Sequence, residues 1–348
     1  MSRGIRGPVN SPRRRRDETL VAPDELTIID RYFRPLAGKG GLGLLDDAAN
    51  LRVPPGLDLV LTKDMIASGV HFLADDPPET IARKALRVNL SDLAAKGASP
   101  IGYLLGVCFA SDLEERWIAA FARGLRIDQE LFGIELLGGD TISAPAGPVI
   151  SITAFGTVPT GRMVHRSGGR PGDLLFVSGT IGDGAAGLAL LRRKTGPWDG
   201  LGADQRDRLV SRYRVPEPRL RLAPALLEYA SAAMDISDGL VGDCDKLAWA
   251  SGCSATIEAE RVPLPFPLGA DDTQLATLLT VGDDYEILAA IPPRSEPGFR
   301  EAAAEAGVPV TRIGALTKER GPTEVRFRGR PLPLHRRAYV HGPGVQSS

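Results

Sequence analysis

The feature that most restricts this chain is a repeated junction in which an apolar run leads into aspartate with glycine or threonine beside it. It occurs at Asp46-Asp47, Thr62-Lys63-Asp64, Gly138-Gly139-Asp140-Thr141, Asp235-Ile236-Ser237-Asp238-Gly239 and Gly282-Asp283-Asp284. Asp-Gly is a common turn formula and Asp a favoured helix N-cap, so any one junction also reads as a turn or a cap. A turn needs one aspartate, whereas three of these five junctions carry a pair. Carboxylates gathered at strand ends repel one another unless cations stand between them. Hard oxygen donors of this kind suit Mg²⁺, which keeps waters and shares itself with substrate phosphates. The repeated junction therefore points to a metal–phosphate site. Asn89 and Asp92, three apart on a helix candidate and so on one face, join the same set.

The chain between the junctions reads as alternating strands and helices. Leu26, Ile29, Phe33 and Leu36 have helical spacing, and GKGGLGLLDDAA (38–49) is a glycine loop running into paired aspartates. LDLVLT (57–62) is expected as a buried strand ending at Lys63-Asp64, and IELLGGDT (134–141) as a strand stopping at Gly-Gly-Asp. Helices are expected over 77–100 and 113–132, and a longer strand over 148–158. PTGRMVHRSGGRPGD (159–173), dense in Pro, Gly and Arg, marks a domain boundary. Beyond it the pattern starts over, with strands DLLFVSG, AAMDI, YEILAAI and VTRIGAL, helices from Gly184 and over FREAAAEAG, and a hairpin about Arg328-Gly329. The fold class is α/β (α+β), in two domains of similar size. The divisions are a basic, disordered arm at 1–23, an N-terminal domain at 24–160, a C-terminal domain at 161–341 and a tail at 342–348.

Composition removes several alternatives. Lys plus Arg (42) and Asp plus Glu (43) leave a net charge of −1, which supports neither a nucleic-acid nor a membrane surface. The Arg run at 13–16 then reads as a solvated arm. No apolar run is long enough to span a bilayer, and no apolar segment follows the basic N-terminus as in a secretory signal. Cys108, Cys244 and Cys253 form no CxxC pair, so a reducing cytoplasm is expected. Gly38-Lys39-Gly40 lacks the spacing of a phosphate-binding P-loop. Gly182-Asp183-Gly184-Ala185-Ala186-Gly187 matches G-x-G-x-x-G after a strand. No second strand ending in an acidic residue follows at the required distance, so these glycines read as tight packing or a phosphate-facing loop rather than a dinucleotide site.

In order along roughly residues 24–341, the segments LLDDAA, SGVHF, ALRVNLSDLAAKGA, LLGGDT, RSGGRPGD, VSGTIGD, MDISDGL and GDDYEIL resemble the thiamine-monophosphate kinase family. That family lies in the superfamily of aminoimidazole ribonucleotide synthetase and selenophosphate synthetase. The resemblance implies a homodimer of two-domain subunits whose N-terminal sheets pair, with ATP bound near the seam. It implies direct in-line transfer of a phosphoryl group from ATP to thiamine monophosphate, giving thiamine diphosphate, in a site holding several Mg²⁺ ions. By that likeness Asp47, Thr62, Asp64, Asp92, Asp140, Asp235 and Asp238 are metal positions. Gly139, Asp140, Arg166 and Ser237 are ATP contacts, and His71, Asp283 and Tyr339 face the substrate.

Three positions depart from the family pattern. Leu45 replaces a glycine before the paired aspartates, Lys63 stands where threonine often precedes the metal-binding Asp64, and Asp283 replaces glutamate. Lys63 is thus a candidate to replace one Mg²⁺ contact or to touch a phosphate. The alternatives are a non-catalytic ATP–Mg²⁺-binding homologue and a superfamily enzyme with another phosphate acceptor. A selenophosphate synthetase would carry a reactive cysteine near its start, and the hydrogenase-maturation relative would end in a cysteine-bearing tail, whereas this chain ends HGPGVQSS.

Overall fold

The computed structural model describes residues 24–145, 147–267 and 271–340, so the expected arm (1–23) and tail (342–348) lie outside the described residues. A short helix α1 (Glu25–Ile28) continues as a wide turn to Phe33 and a tight turn to Leu36. The single regular helix expected here is thus broken into turns. Pro35 has no N–H to continue the ladder, and Leu26 is exposed rather than packed. A four-stranded sheet follows, built from β1 (Leu57–Ala67), β2 (Ser99–Ala110), β3 (Glu135–Ala144) and β4 (Val149–Pro159) in the order β1-β4-β2-β3. Helices α2 (Pro78–Ala95) and α3 (Glu115–Phe132) cover one face.

β1 alternates. Val60 and Ile66 are buried under α2, while Leu59, Leu61 and Met65 stand on the open face. The strand expected as buried is thus covered on one face only, and two expected strand ends change as well. β1 does not end at Lys63-Asp64, because β4 goes on supplying partners: Lys63 pairs with Thr153 and Asp64 with Ile152. β3 likewise runs past Asp140 to Ala144 along β2. Within β3, Gly139 meets a steric demand, since a Cβ there would stand 1.8 Å from the Leu105 carbonyl oxygen.

The second half forms a seven-stranded sheet. In chain order its elements are β5 (Leu174–Ser178), α4 (Asp183–Leu191), α5 (Ala203–Arg214), α6 (Ala223–Tyr229), β6 (Ala232–Ile236), α7 (Leu240–Ala250), β7 (Ser254–Glu258), α8 (Asp272–Thr280), β8 (Glu286–Ile291), α9 (Glu296–Glu305), β9 (Val310–Thr317), β10 (Glu324–Phe327) and β11 (Arg330–Pro331). The strand order is β11-β10-β7-β9-β5-β8-β6, antiparallel except between β7 and β10. Leu175 and Val177 pack with α7 and α8 on one face, Leu174 and Phe176 with α6 and α9 on the other. β5, β6 and β8 are therefore buried on both sides and read as continuous apolar runs. The expected hairpin forms, with Phe327 paired to Arg330 around Arg328 and Gly329, both at positive φ.

α2 joins the halves. Ile81, Leu86, Leu90 and Leu93 pack in the first core, and Ala94 and Ala95 in a core of the second half. α2 is covered on nearly all sides, so the polar side chains it buries, Lys84, Arg87 and Asn89, each find partners within the protein.

Candidate active site

The acidic junctions of the second half are held together by backbone. Asp283 N–H donates to the Ser237 carbonyl (2.9 Å) and Tyr285 N–H to the Ile236 carbonyl (2.8 Å). Gly282 lies so close to this loop that a Cβ would sit 1.9 Å from the Ser237 oxygen. The three aspartates of MDISDGLVGD divide their work. Asp243 is fully buried and accepts the Ser237 and Asp238 N–H groups, each at 3.0 Å, so it shapes the loop. Asp235 and Asp238 line a cleft of about 630 Å³.

Asp64, His71, Asp92, Ser237, Asp283 and Tyr339 line the same cleft. Asp64 faces it from β1, its N–H donating to the Asn89 side-chain oxygen at 3.1 Å. Thr62, on the same face of β1, donates its hydroxyl to Asp92. Asn89 and Asp92 thus use one face of α2 to fix the strand that carries Thr62 and Asp64. Tyr339 reaches the cleft because its N–H donates to the Asp238 carbonyl at 2.9 Å, and Arg337 beside it forms a two-pronged pair with Asp245.

Electrostatics bind the carboxylates into one group. Burial, with the Asp92 and Asp238 charges beside it, pushes the Asp64 carboxyl up to about 7. Asp235 is raised well above the ordinary carboxylate range by burial, then by Asp92 and Asp243. Among the described residues no three His, Cys, Asp or Glu side chains stand where they could hold one metal ion together. Internal partners hold the acids meanwhile: Lys246 Nζ donates to Asp238 (2.5 Å) and Asp243 (2.8 Å). Carboxylates crowded round one cleft repel one another, and Asp64, Asp92, Asp235 and Asp238 are the oxygen donors that divalent cations entering it would meet.

Other expected site residues lie elsewhere. Asp47, Gly139 and Asp140 line a second cavity of about 730 Å³ that includes Leu59, Leu104 and Phe155 of the first sheet. Lys63 is on the face of β1 opposite Thr62 and Asp64, donating to Ser151, and so does not join the acidic group. Arg166 is exposed and lines neither cavity. Leu45 has a negative φ (−107°) that any residue adopts, so glycine is not required there. The G-x-G-x-x-G turn spends two of its N–H groups internally, while Gly184 and Ala185 line the first cleft. Asp284 accepts the Gly182 and Gly184 N–H groups at 2.9 and 3.2 Å, and Gly187 packs on Leu209 of α5. Sequence reasoning passed over Asp243, Lys246, Arg192, Tyr285 and Arg336, the last three lining the first cleft. The proximity of Asp243 and Lys246 to MDISDG was the one available signal.

Fold and site together define the class. Residues 45–158 match the model of the AIR synthase related protein N-terminal domain, and 170–326 that of the C-terminal domain. Thiamine-monophosphate kinase of Caulobacter vibrioides is 44% identical over 329 residues, covering 92% of this chain and 91% of that protein. The crystal structure of thiamine-monophosphate kinase from Stenotrophomonas maltophilia K279a superposes with a TM-score of 0.76 at 34% identity, over 88% of this chain and 97% of that one. AaThiL complexed with AMPPCP and TMP superposes with a TM-score of 0.70 at 30% identity, over 91% and 97%. The chain belongs to the thiamine-monophosphate kinase family.

Proposed function

We propose that this protein transfers the terminal phosphoryl group of ATP to thiamine monophosphate, yielding ADP and thiamine diphosphate. The observation that carries the reading is the meeting of Asp64, Asp92, Asp235 and Asp238 with His71, Asp283 and Tyr339 around one cleft. The solved AaThiL complex, which holds AMPPCP and TMP, supports the choice of substrates. The bond between the γ-phosphorus and the bridging oxygen breaks, leaving the electron pair on ADP. A phosphate oxygen of thiamine monophosphate forms the new bond in line. With no covalent chemistry left to the protein, positioning and charge neutralisation supply the rate.

Asp64, Asp92, Asp235 and Asp238, with Thr62 beside them, would hold Mg²⁺ in the first cleft, and Asp47 and Asp140 in the second. Bound Mg²⁺ supplies charge neutralisation for the transferring phosphoryl group. His71, Asp283 and Tyr339 orient the acceptor. Gly139, Asp140 and Ser237 face the nucleotide, and Arg166 meets it from outside both cavities. Asp140 lies level with Met65 across the sheet through Gly106 and Ser151, three strand steps or about 14 Å away. An extended nucleoside triphosphate bridges such a gap. Lys63 stands one same-face row away, opposite Thr153, and its ammonium group reaches Ser151 of that row on the open face, where it is available to a phosphate. A homodimer pairing the open faces would roof the second cavity. No described helix is long and apolar enough to cross a membrane, and we place the reaction in the cytoplasm. The domains act as 24–160 for nucleotide, metal and pairing, and 161–341 to complete the site.

The test is an acceptor panel with ATP and Mg²⁺, comparing thiamine monophosphate, thiamine and aminoimidazole precursors. Thiamine monophosphate alone should be phosphorylated. ADP release that follows another acceptor would replace this reading with another reaction of the superfamily.

A further inference from the structure

Lys84 sits in the middle of α2 and is only 1% exposed, although it lines neither cavity. A lysine buried this fully needs partners for its ammonium group. Its Nζ donates to the His71 carbonyl (2.8 Å) and to Asp283 Oδ2 (3.2 Å), and it stands 3.9 Å from the centre of the Tyr213 ring. Tyr213 in turn donates its hydroxyl to the same His71 carbonyl at 3.3 Å. The other oxygen of Asp283 accepts the Tyr285 hydroxyl at 3.2 Å. Asp283 is held at positive φ (73°), a conformation that L-residues seldom adopt and that needs outside support. His71 and Asp283 come from opposite halves of the chain, and one ammonium group behind the cleft ties both.

We propose that Lys84 is a positioning residue that locks the His71 turn and the Asp283 loop into one wall of the acceptor pocket. The inference rests on the reading that His71 and Asp283 face the acceptor. It goes beyond that reading by assigning the geometry of both to a residue that touches no substrate. The four-carbon stem spans from α2 to the wall, and the ammonium group meets a carbonyl, a carboxylate and a ring at once. A methionine of similar length keeps the packing against the Tyr213 ring and loses the charge and both hydrogen bonds.

The test compares wild type with Lys84→Met by hydrogen exchange of the metal- and ligand-free protein, then by kinetics. Exchange of residues 68–72 and 281–285 should rise together about tenfold, with β5 and α9 unchanged. The KM for thiamine monophosphate should rise about tenfold while the KM for ATP stays within twofold. Unchanged exchange in either segment, or a rise spread over the whole chain, overturns the lock. Equal changes in the two KM values overturn its link to the acceptor. If Lys84→Met does not fold, Lys84→Met/Asp283→Asn removes both charges and carries the same exchange comparison. Wild-type protein that makes no thiamine diphosphate would refute the acceptor assignment, while the exchange result would still decide the role of Lys84.

Discussion

The acidic residues of the cleft do different work, and substitutions should separate them. Asp64→Asn and Asp238→Asn should each lower kcat a hundredfold or more, about 3 kcal/mol of barrier, with the circular dichroism spectrum unchanged. Near-normal turnover in both would return them to turns and caps. A second expectation follows from protonation. The Asp64 carboxyl rises from its ordinary 3.8 to about 7 in the metal-free fold. A carboxyl raised on folding stabilises the fold below its unfolded pKa, and that contribution fades as pH climbs through the folded value. Between pH 4 and 7 wild type should therefore lose stability relative to Asp64→Asn, and Mg²⁺ at pH 8 should raise the Tm of wild type more than that of the variant. Thermal melts in EDTA and in Mg²⁺ check both signs. The convergence of Asp64, Asp235 and Asp238 on one cleft was foreshadowed in sequence, because the paired carboxylates at three of the junctions exceed what a turn requires. The split between Asp238 and Asp243 was not, since it depends on which one meets the loop's own N–H groups. Lys84 and Lys246 were hidden for a related reason: a helical lysine reads as solvated until its neighbours are known.

At the scale of elements, α2 is the piece on which the site depends. It holds β1 through Asn89 and Asp92, and reaches the second half through Arg87 to the Pro216 carbonyl (3.0 Å) and through Lys96, which caps its end, to the Ala233 carbonyl (2.9 Å). Arg87 also makes a two-pronged pair with the fully buried Asp128, at 2.6 and 2.8 Å. Arg83 also reaches Asp128, at 3.1 Å, so removing Arg87 leaves that buried carboxylate one of its two partners, and Arg87→Met should cost about 2 kcal/mol in urea unfolding. Arg87→Met/Asp128→Leu should recover most of that loss; a double variant as unstable as the single would mean Asp128 is not the cause. The helix was legible from its proline start and glycine close. β2 was not read as a strand at all, because Gly97 and Pro100 looked like the end of a helix. Pro100 is instead tolerated at a register shift near the strand's start. β1 and β3 looked shorter than they are because Lys, Asp and Gly read as endings. They continue because the neighbouring strands still offer hydrogen-bond partners.

For the whole molecule, the open face of the first sheet is the informative surface. Leu59, Leu61, Met65, Leu104 and Ile142 are exposed there, an apolar face that a lone sheet would leave to water. If two copies pair through it, light scattering should give a mass near twice 37.0 kDa, and Leu61→Asp should bring it to one chain with loss of activity. A monomeric, fully active wild type would refute the pairing. The two-sheet layout followed from the restart of the strand pattern after residue 173, whereas the division of site residues between two cavities depends on which strand face each one takes, which only the assembled sheet fixes. The most direct measurement follows the phosphoryl group itself, using ATP labelled at the γ-phosphate with thiamine monophosphate and Mg²⁺. The label should appear in thiamine diphosphate one-for-one with ADP in wild type, and be nearly absent with folded Asp238→Asn. Label released as free phosphate with none in thiamine diphosphate, or undiminished transfer by Asp238→Asn, would contradict the account.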